Sequence, residues 1–436
     1  MAKPTLENTL LECIDNIPFY SKEEYQKAKN KIKQNIPIDD ILLELPEIDG
    51  KTLITSTQSE FVPRRKGYYV ILQTSGSTGK PKKIYYSPAT SQDLNVLGIK
   101  MLRAMGVRKD SVVVTNLPRE PAASGYGFRE FIKRFGLVDM VLWPGQNIMD
   151  MLKYVDEVVP SNKELLLCGA TSMIIRNFYS MPENEQREFS RILKKYKAKV
   201  VVGGEPINSE RVEILKNVIG YSVINNLFAC TEGVLSCGHS ETSDNLLLSS
   251  YNFHYMLKDN DGKIYGLNEM KGKTGELIIT SKTRHKKRYG MVFIKYNLHD
   301  VFEIKEVFKD GTILCRYLDR SDDIKHIGVG KVTANSLDEV VMHIGKTYGT
   351  KEWYAEISQK NGLDDLHFYI ERGDYKGDQH EIEHALKLEL QKRMLEFEFM
   401  FKDNLISVSL NLVSKEDVPF YKEKYKAKRL LDLRSH

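Results

Sequence analysis

The sequence predicts an α/β fold in two parts: a large N-terminal body on parallel sheets carrying a β-rich subdomain, and a small α+β unit at the C-terminal end. Three observations predict it. Short, wholly apolar runs at 112–114, 165–167 and 200–202 alternate with helix-like segments at 93–105, 149–158 and 182–196; strands that are apolar on both faces belong to parallel sheets covered by helices. After Gly272 the pattern changes to short strands and turns. The length, 436 residues, suits two or three domains at roughly 150 residues each.

Taken in order, residues 1–60 read as helices and loops. The segment 22–33 is rich in Lys and Glu, as a solvated helix would be, and Leu42, Leu43, Leu45 and Ile48 are expected to pack onto the body. The apolar run 69–72 opens the α/β pattern, and 137–143 adds a further strand. In the β-rich stretch, strands are expected at 276–280, 292–296, 301–307 and 312–316, with Asp310-Gly311 as a hairpin signal. Beyond Arg320, strands at 353–357, 366–370 and 406–412 and one long helix over 380–399 form the last unit. The boundary is placed between 1–319 and 320–436.

Composition removes several classes. A hydrophobic fraction of 41% with 28% charged residues supports a packed core and argues against global disorder. No run approaches 18 apolar residues, so no transmembrane helix and no membrane partner is expected. The N-terminus lacks a basic region followed by an apolar run, so a secretory signal is not expected. Five scattered cysteines without a CxxC pair fit a reducing cytoplasm. A net charge of +5 is too small to point to nucleic acid, and the basic run at 282–288 reads as a solvated loop.

The most informative segment is Thr74-Ser75-Gly76-Ser77-Thr78-Gly79-Lys80-Pro81-Lys82, directly after a predicted strand. Glycines let the backbone curl around an anion, hydroxyl and amide groups donate to phosphate oxygens, and lysine adds charge. It is not a Walker A loop: two residues, not four, separate Gly76 and Gly79, and Pro81 follows Lys80. The pairs Gly125/Gly127 and Gly328/Gly330 lack the third glycine of a dinucleotide fingerprint.

This loop resembles the phosphate-loop motif of adenylate-forming enzymes, a superfamily of acyl-CoA synthetases, adenylation domains and luciferases. Segments similar to the family's other motifs follow in order. Gly203-Gly204-Glu205-Pro206 resembles a turn that lines the adenine and acyl pocket. Asn226-Leu227-Phe228-Ala229-Cys230-Thr231-Glu232 is similar to the Tyr-Gly-x-Thr-Glu motif, with Phe228 for Tyr and Ala229 for Gly. Lys295 to Asp300 resembles the Arg-Tyr-x-Thr-x-Asp segment, and Asp319-Arg320-Ser321-Asp322-Asp323 resembles the Gly-Arg-x-Asp-Asp hinge with Asp319 for Gly. Lys426 falls at the lysine of the final Gly-Lys-Ala-x-Arg segment, with Tyr425 for Gly. Asn16-Ile17-Pro18-Phe19-Tyr20 and Leu43-Glu44-Leu45-Pro46 look like the start of the phenylacetate–CoA ligase-like branch.

The resemblance implies a reaction and a set of roles. ATP and Mg²⁺ would activate a small-molecule carboxylic acid to an acyl-adenylate, which passes to a thiol, CoA. Residues 74–80, Gly204, Glu205, Pro206, Asn226 and Ala229 would line the nucleotide site, with Phe228 against adenine. Thr231 would hold the α-phosphate, Glu232 the Mg²⁺, and Asp300 the ribose hydroxyls. Arg320 would contact ribose or phosphate. A mobile C-terminal unit would pivot at Asp322 and deliver Lys426 to the acyl-forming centre. Tyr126, Gly127 and Phe128, aromatics beside a small residue, are the candidate acyl pocket. Some members of the branch bind zinc; Cys237, His239 and Cys315 lie in the corresponding regions, but four ligands are not apparent and zinc is not expected. Transfer to a carrier protein, an amine or another small molecule is the alternative, as is a nucleotide-binding homologue without catalysis. A homodimer is allowed.

Overall fold

The apolar runs of the body lie side by side. In a computed structural model, Val112–Thr115, Leu165–Gly169, Lys199–Gly203 and Ile224–Ala229 are neighbouring parallel strands, with Val138–Asp139 at the outer edge. The structure describes residues 6–63, 69–74, 82–115, 123–139, 147–204, 209–219, 224–238, 244–283, 289–328, 330–350, 352–360, 363–373, 378–418 and 429–434.

Alternation along these strands divides the core into two layers, because successive side chains point to opposite faces. Val112, Val114, Leu165, Leu167, Val200 and Val202 pack against Leu152, Phe189, Ile192 and Leu215. Val113, Leu166, Cys168 and Val201 face the other way, against Leu97, Met101 and Phe131. With helices on both faces, no strand position is left for a polar residue, which is why the runs are continuously apolar.

The β-rich stretch is not a separate piece. Among the described residues, twelve strands form one sheet, and its second half is antiparallel: Leu235–Gly238, Asn245–Leu248, Ile313–Arg320, Tyr296–Val307, Thr274–Ser281, Phe253–Lys258 and Ile264–Tyr265. The N-terminal helices Leu6–Asn16, Glu23–Lys33 and Ile38–Glu44 pack on this half. Leu42, Leu45 and Ile48 are buried there, but Leu43 is 42% exposed, since a helix buries only one stripe.

Other expectations change in detail. The run 69–72 becomes Val70–Gln73, which pairs with Lys83–Tyr86 in a separate two-stranded ribbon instead of joining the parallel sheet. Residues 292–295 precede the strand Tyr296–Val307, because Lys295 has φ +50 and cannot continue a ladder. The helix expected over 380–399 is two helices, Gln379–Arg393 and Leu395–Lys402, broken at Met394 with φ −129 and ψ 100. Of 137–143, Val138–Asp139 is strand and 140–143 lies outside the described residues.

Two units result: Met1–Ile207 with Val212–Leu318, and Asn208–Arg211 with Asp319–His436. In the second, Ile406–Val413, Leu363–Glu371, Trp353–Lys360 and Leu430–Asp432 form a four-stranded sheet in that order. Trp353, Ala355 and Ile357 point inward while the residues between them do not. A charged knot sits in this unit. Asp338 accepts from the Arg211 guanidinium (2.6 Å) and from Trp353 Nε1 (2.8 Å), and Arg429 pairs with Glu352 (2.6 Å). Burial opposes an ionised Asp338, but the Arg211 guanidinium overcomes it and holds the carboxyl far below its ordinary range.

Candidate functional site

The site grows from the end of the last parallel strand. Ile224–Ala229 and Leu235–Gly238 are joined by a tight hairpin. The Gly233 amide donates to the Cys230 carbonyl (3.0 Å) and the Cys230 amide to the Val234 carbonyl (3.1 Å). That is a three-residue loop closed by a glycine bulge, and it requires positive φ at its last position; Gly233 has φ +98. Thr231 and Glu232 are therefore at a hairpin tip. The tip lies at the carboxyl end of the parallel strands, where open α/β sheets bind ligands. Gly203 and Gly204 end the neighbouring strand. A Cβ on Gly203 would sit 2.4 Å from the Leu227 carbonyl oxygen, and Gly204 has φ +85.

Three polar side chains close a ring at this tip. Lys82 Nζ donates to Glu232 Oε1 (2.6 Å), the Tyr296 hydroxyl donates to the same oxygen (3.0 Å), and Lys82 Nζ lies 3.2 Å from the Tyr296 oxygen. Burial raises the cost of an ionised Glu232, but the Lys82 ammonium and these hydrogen bonds outweigh it and hold the carboxyl below its usual value. The Tyr86 hydroxyl donates to the Thr231 carbonyl (2.6 Å) and fixes the loop from below. Thr74 and Lys82 flank the rest of the expected phosphate-loop motif and are tied together: the Thr74 amide donates to the Lys82 carbonyl (3.0 Å) and the Lys82 amide to Thr74 Oγ1 (3.0 Å). Ser75, Gly76, Ser77, Thr78, Gly79 and Lys80 lie outside the described residues.

Asp300 reaches the same region. It lies on Tyr296–Val307, where two extra residues are accommodated opposite Glu276 and Ile278, and His299 has φ +60; such a bulge re-aims side chains. Asp300 is buried and accepts from the Tyr317 hydroxyl (3.2 Å). Burial first, and then the charges of Glu232 and Asp300, push the Cys230 thiol well above its ordinary value, so both carboxylates lie near one point. Phe228 is buried among Phe302 and Tyr317, each ring 5.1 Å from its own. Asn226 is buried and Ala229 is exposed.

The N-terminal segment that carries Leu43-Glu44-Leu45-Pro46 braces this strand. Lys295 Nζ donates to the carbonyls of Leu43 (2.7 Å) and Leu45 (2.6 Å). The Ile48 amide donates to the Lys295 carbonyl (3.1 Å) and the Asn297 amide to the Ile48 carbonyl (2.8 Å), on either side of Tyr296. Gly50 then passes close to the Lys82 side chain, where a Cβ would lie 3.0 Å from Cδ.

The candidate acyl residues divide. They lie on the helix Ala123–Phe135, where a two-residue step turns about 200°. Tyr126 is partly buried, close enough to Tyr86 to disfavour its phenolate, while Phe128 faces the opposite layer in edge-on contact with Phe131 (5.1 Å). Gly127 lies between them, and a Cβ there would meet Leu94 at 3.5 Å. Phe128 is thus a core residue. A cleft beside the tip is lined by Tyr86, Leu94, Glu232, Gly233 and Lys282.

Arg320 and Asp322 belong to the second unit, in and beside the turn Ser321–Asp323; the Arg320 amide donates to Asp319 Oδ1 (2.9 Å). Lys426, Glu205, Pro206 and His239 lie outside the described residues. Cys237 pairs with Leu247 and Cys315 with Leu246, so the two thiols point to opposite faces of the sheet and share no site. Among the described residues there is no group of three or more His, Cys, Asp and Glu able to hold a metal, and no helix is long and apolar enough to cross a membrane. Sequence reasoning missed Tyr86, which carried no signal; Lys82 and Tyr296 stood inside quoted motifs with no role of their own assigned.

The fold is one that solved acid–CoA ligases and an acyl acid amido synthetase also have. The chain is similar over 98% of its length to a 2-hydroxyisobutyryl-CoA ligase solved in a postadenylation state with an acyl-AMP, at 16% identity, 88% coverage of that chain and a TM-score of 0.74. The same ligase with an acyl-AMP and CoA, in a thioesterification state, gives 17% identity over 99% of this chain and 88% of that one, with a TM-score of 0.58. An acyl acid amido synthetase, GH3.15, in complex with 2,4-DB gives 11% identity over 98% of this chain and 91% of that one, with a TM-score of 0.67. At these identities the likeness is one of fold. No protein-family description matches the chain, and no curated protein does.

Proposed function

We propose that the chain is an AMP-forming acid ligase that converts a small carboxylic acid to an acyl-adenylate and then to a thioester of CoA. The observation that carries this is the convergence of the Thr74–Lys82 tie, the Lys82–Glu232–Tyr296 ring and Asp300 at the carboxyl end of one sheet. In the first half-reaction a carboxylate oxygen bonds to the α-phosphorus of ATP and the bond to the bridging oxygen breaks, releasing pyrophosphate. In the second, a thiol sulfur bonds to the acyl carbon, the carbon–oxygen bond to AMP breaks, and the thiol proton leaves.

The residues fit a nucleotide more than a standing metal. Glu232 alone offers one hard oxygen ligand, which matches Mg²⁺ that arrives held by phosphate oxygens and keeps several waters. When bound, that ion neutralises charge on the triphosphate. Lys82 and the phosphate loop bind the β- and γ-phosphates, Thr231 the α-phosphate, and Asp300 the ribose. Lys426 and Arg320 act from residues 320–436 as a mobile lid about Asp322, and Tyr126 borders the acyl group. Catalysis is then positioning and charge stabilisation.

The test is isotope exchange between pyrophosphate and ATP across a panel of carboxylic acids. Acid-dependent exchange is expected; ATP binding with no exchange for any acid would instead indicate a nucleotide-binding homologue without catalysis. The amido synthetase among the structural relatives keeps an amine acceptor in view, and mass spectrometry of products with CoA present and absent separates it from a thioester.

A further inference from the structure

We propose that Tyr296 is a positioning residue that keeps the Glu232 carboxylate in place for Mg²⁺·ATP once Lys82 releases it. This rests on the nucleotide-binding reading above. Lys82 and Tyr296 both donate to Glu232 Oε1, at 2.6 and 3.0 Å. The two donors differ in what they tolerate. An ammonium on a carboxylate oxygen repels a divalent cation arriving at the same group, whereas a phenol brings no net charge. They also differ in freedom to move. Lys82 has a four-carbon stem, is partly exposed, and runs past Gly50, where no side chain blocks it. Tyr296 is fully buried. Its backbone is held on one edge by Ile279 and on the other by Ile48, and its ring packs on Phe293 at 4.8 Å.

The incoming triphosphate therefore draws Lys82 toward its own oxygens, and Tyr296 remains as the fixed donor. Without it, Glu232 sits at the tip of a three-residue loop with one fewer restraint, and the metal meets a carboxylate that must first be ordered. The phenol's hydrogen bonds go to Glu232 and Lys82, so its loss should appear in the metal-dependent part of nucleotide binding.

Calorimetric titration of the full chain with a non-hydrolysable ATP analogue, with and without Mg²⁺, and with AMP, tests this without knowledge of the acid. For the Tyr296→Phe variant the Mg²⁺-dependent gain in analogue affinity is expected to fall roughly tenfold, the size of one hydrogen bond to a charged group, with AMP affinity unchanged. In a Glu232→Gln background the same change should add nothing. An undiminished Mg²⁺ gain in Tyr296→Phe overturns the proposal, as does an equal loss for AMP. Should Tyr296→Phe fail to fold, Lys82→Met decides: the Mg²⁺ gain is retained if the phenol holds Glu232 and lost if the ammonium does. A wild-type chain that binds neither nucleotide overturns the ligase reading itself.

Discussion

Glu232 concentrates the electrostatics of the candidate site in one carboxylate. Its charge is buried and is matched by Lys82 at 2.6 Å. Replacing it with Gln leaves the Lys82 ammonium beside a neutral amide in a largely water-excluded place. Breaking a buried pair from one side costs about 3 kcal/mol, and Glu232→Gln should lower the unfolding free energy by about that amount in urea. The pH dependence follows from the direction of the shift. Glu232 has its pKa lowered in the folded chain from an ordinary 4.5, so the stabilisation is complete above 4.5 and lost as pH falls through the folded value. Wild type should lose stability faster than Glu232→Gln on acidification below pH 4.5. Parallel acid limbs for the two chains would show that the carboxylate is not held as described.

At the scale of elements, the hairpin 230–233 makes the strictest demand. Gly233 takes φ +98, and a Cβ there would lie 3.3 Å from the Tyr86 hydroxyl. Gly233→Ala should cost about 1–2 kcal/mol for the left-handed backbone, visible as a lower urea midpoint at unchanged slope. It should also weaken nucleotide binding, because Tyr86 holds the Thr231 carbonyl; an alanine variant with wild-type midpoint and affinity contradicts this account of the loop. Thr231 and Glu232 were legible in the sequence because they are consecutive residues of one motif. The same holds for Thr74, Lys82 and Asp300, each inside a contiguous motif. What was not legible joins distant segments. Tyr296 meets Glu232 across 64 residues and Lys295 meets Leu43 across 252, and no local pattern encodes such pairs. Phe128 was misplaced because the aromatic and small residues of 124–128 look alike in a loop and in a helix, whereas the helix sends Tyr126 and Phe128 to opposite layers. The antiparallel half of the sheet read as a subdomain because a change in strand pattern marks a change of pairing, not a break in the sheet.

At the scale of the whole molecule, the chain carries a natural pair of labels. All five cysteines, Cys13, Cys168, Cys230, Cys237 and Cys315, lie in the first unit, and Trp353 lies in the core of the second. Burial raises every one of the thiols, Cys237 to about 11 and the others further. At pH 8 a thiol reagent should therefore react slowly with the native protein and with all five groups in denaturant. Lys82, Glu232, Tyr296 and Asp300 are also in the first unit, so nucleotide binding should be felt at those thiols. An Mg²⁺·ATP analogue at 100 times its dissociation constant adds about 2.7 kcal/mol to a unit that must unfold to react, slowing labelling by up to roughly 100-fold. Trp353 reports a different force. Its indole donates to Asp338, whose pKa is lowered from an ordinary 3.8 after Arg211 overcomes the cost of burial. That stabilisation is present above pH 3.8 and lost as pH falls further, so Trp353 fluorescence, in a Trp143→Phe background, should hold its native value down to pH 3.8 and change only below it. Asp338→Asn leaves Arg211 without its carboxylate and removes the group that titrates, so the Trp353 environment should be less stable at every pH above 3.8. Thiol labelling indifferent to nucleotide would contradict the placement of the site in the first unit, and a Trp353 signal indifferent to Asp338→Asn would contradict the charged knot in the second.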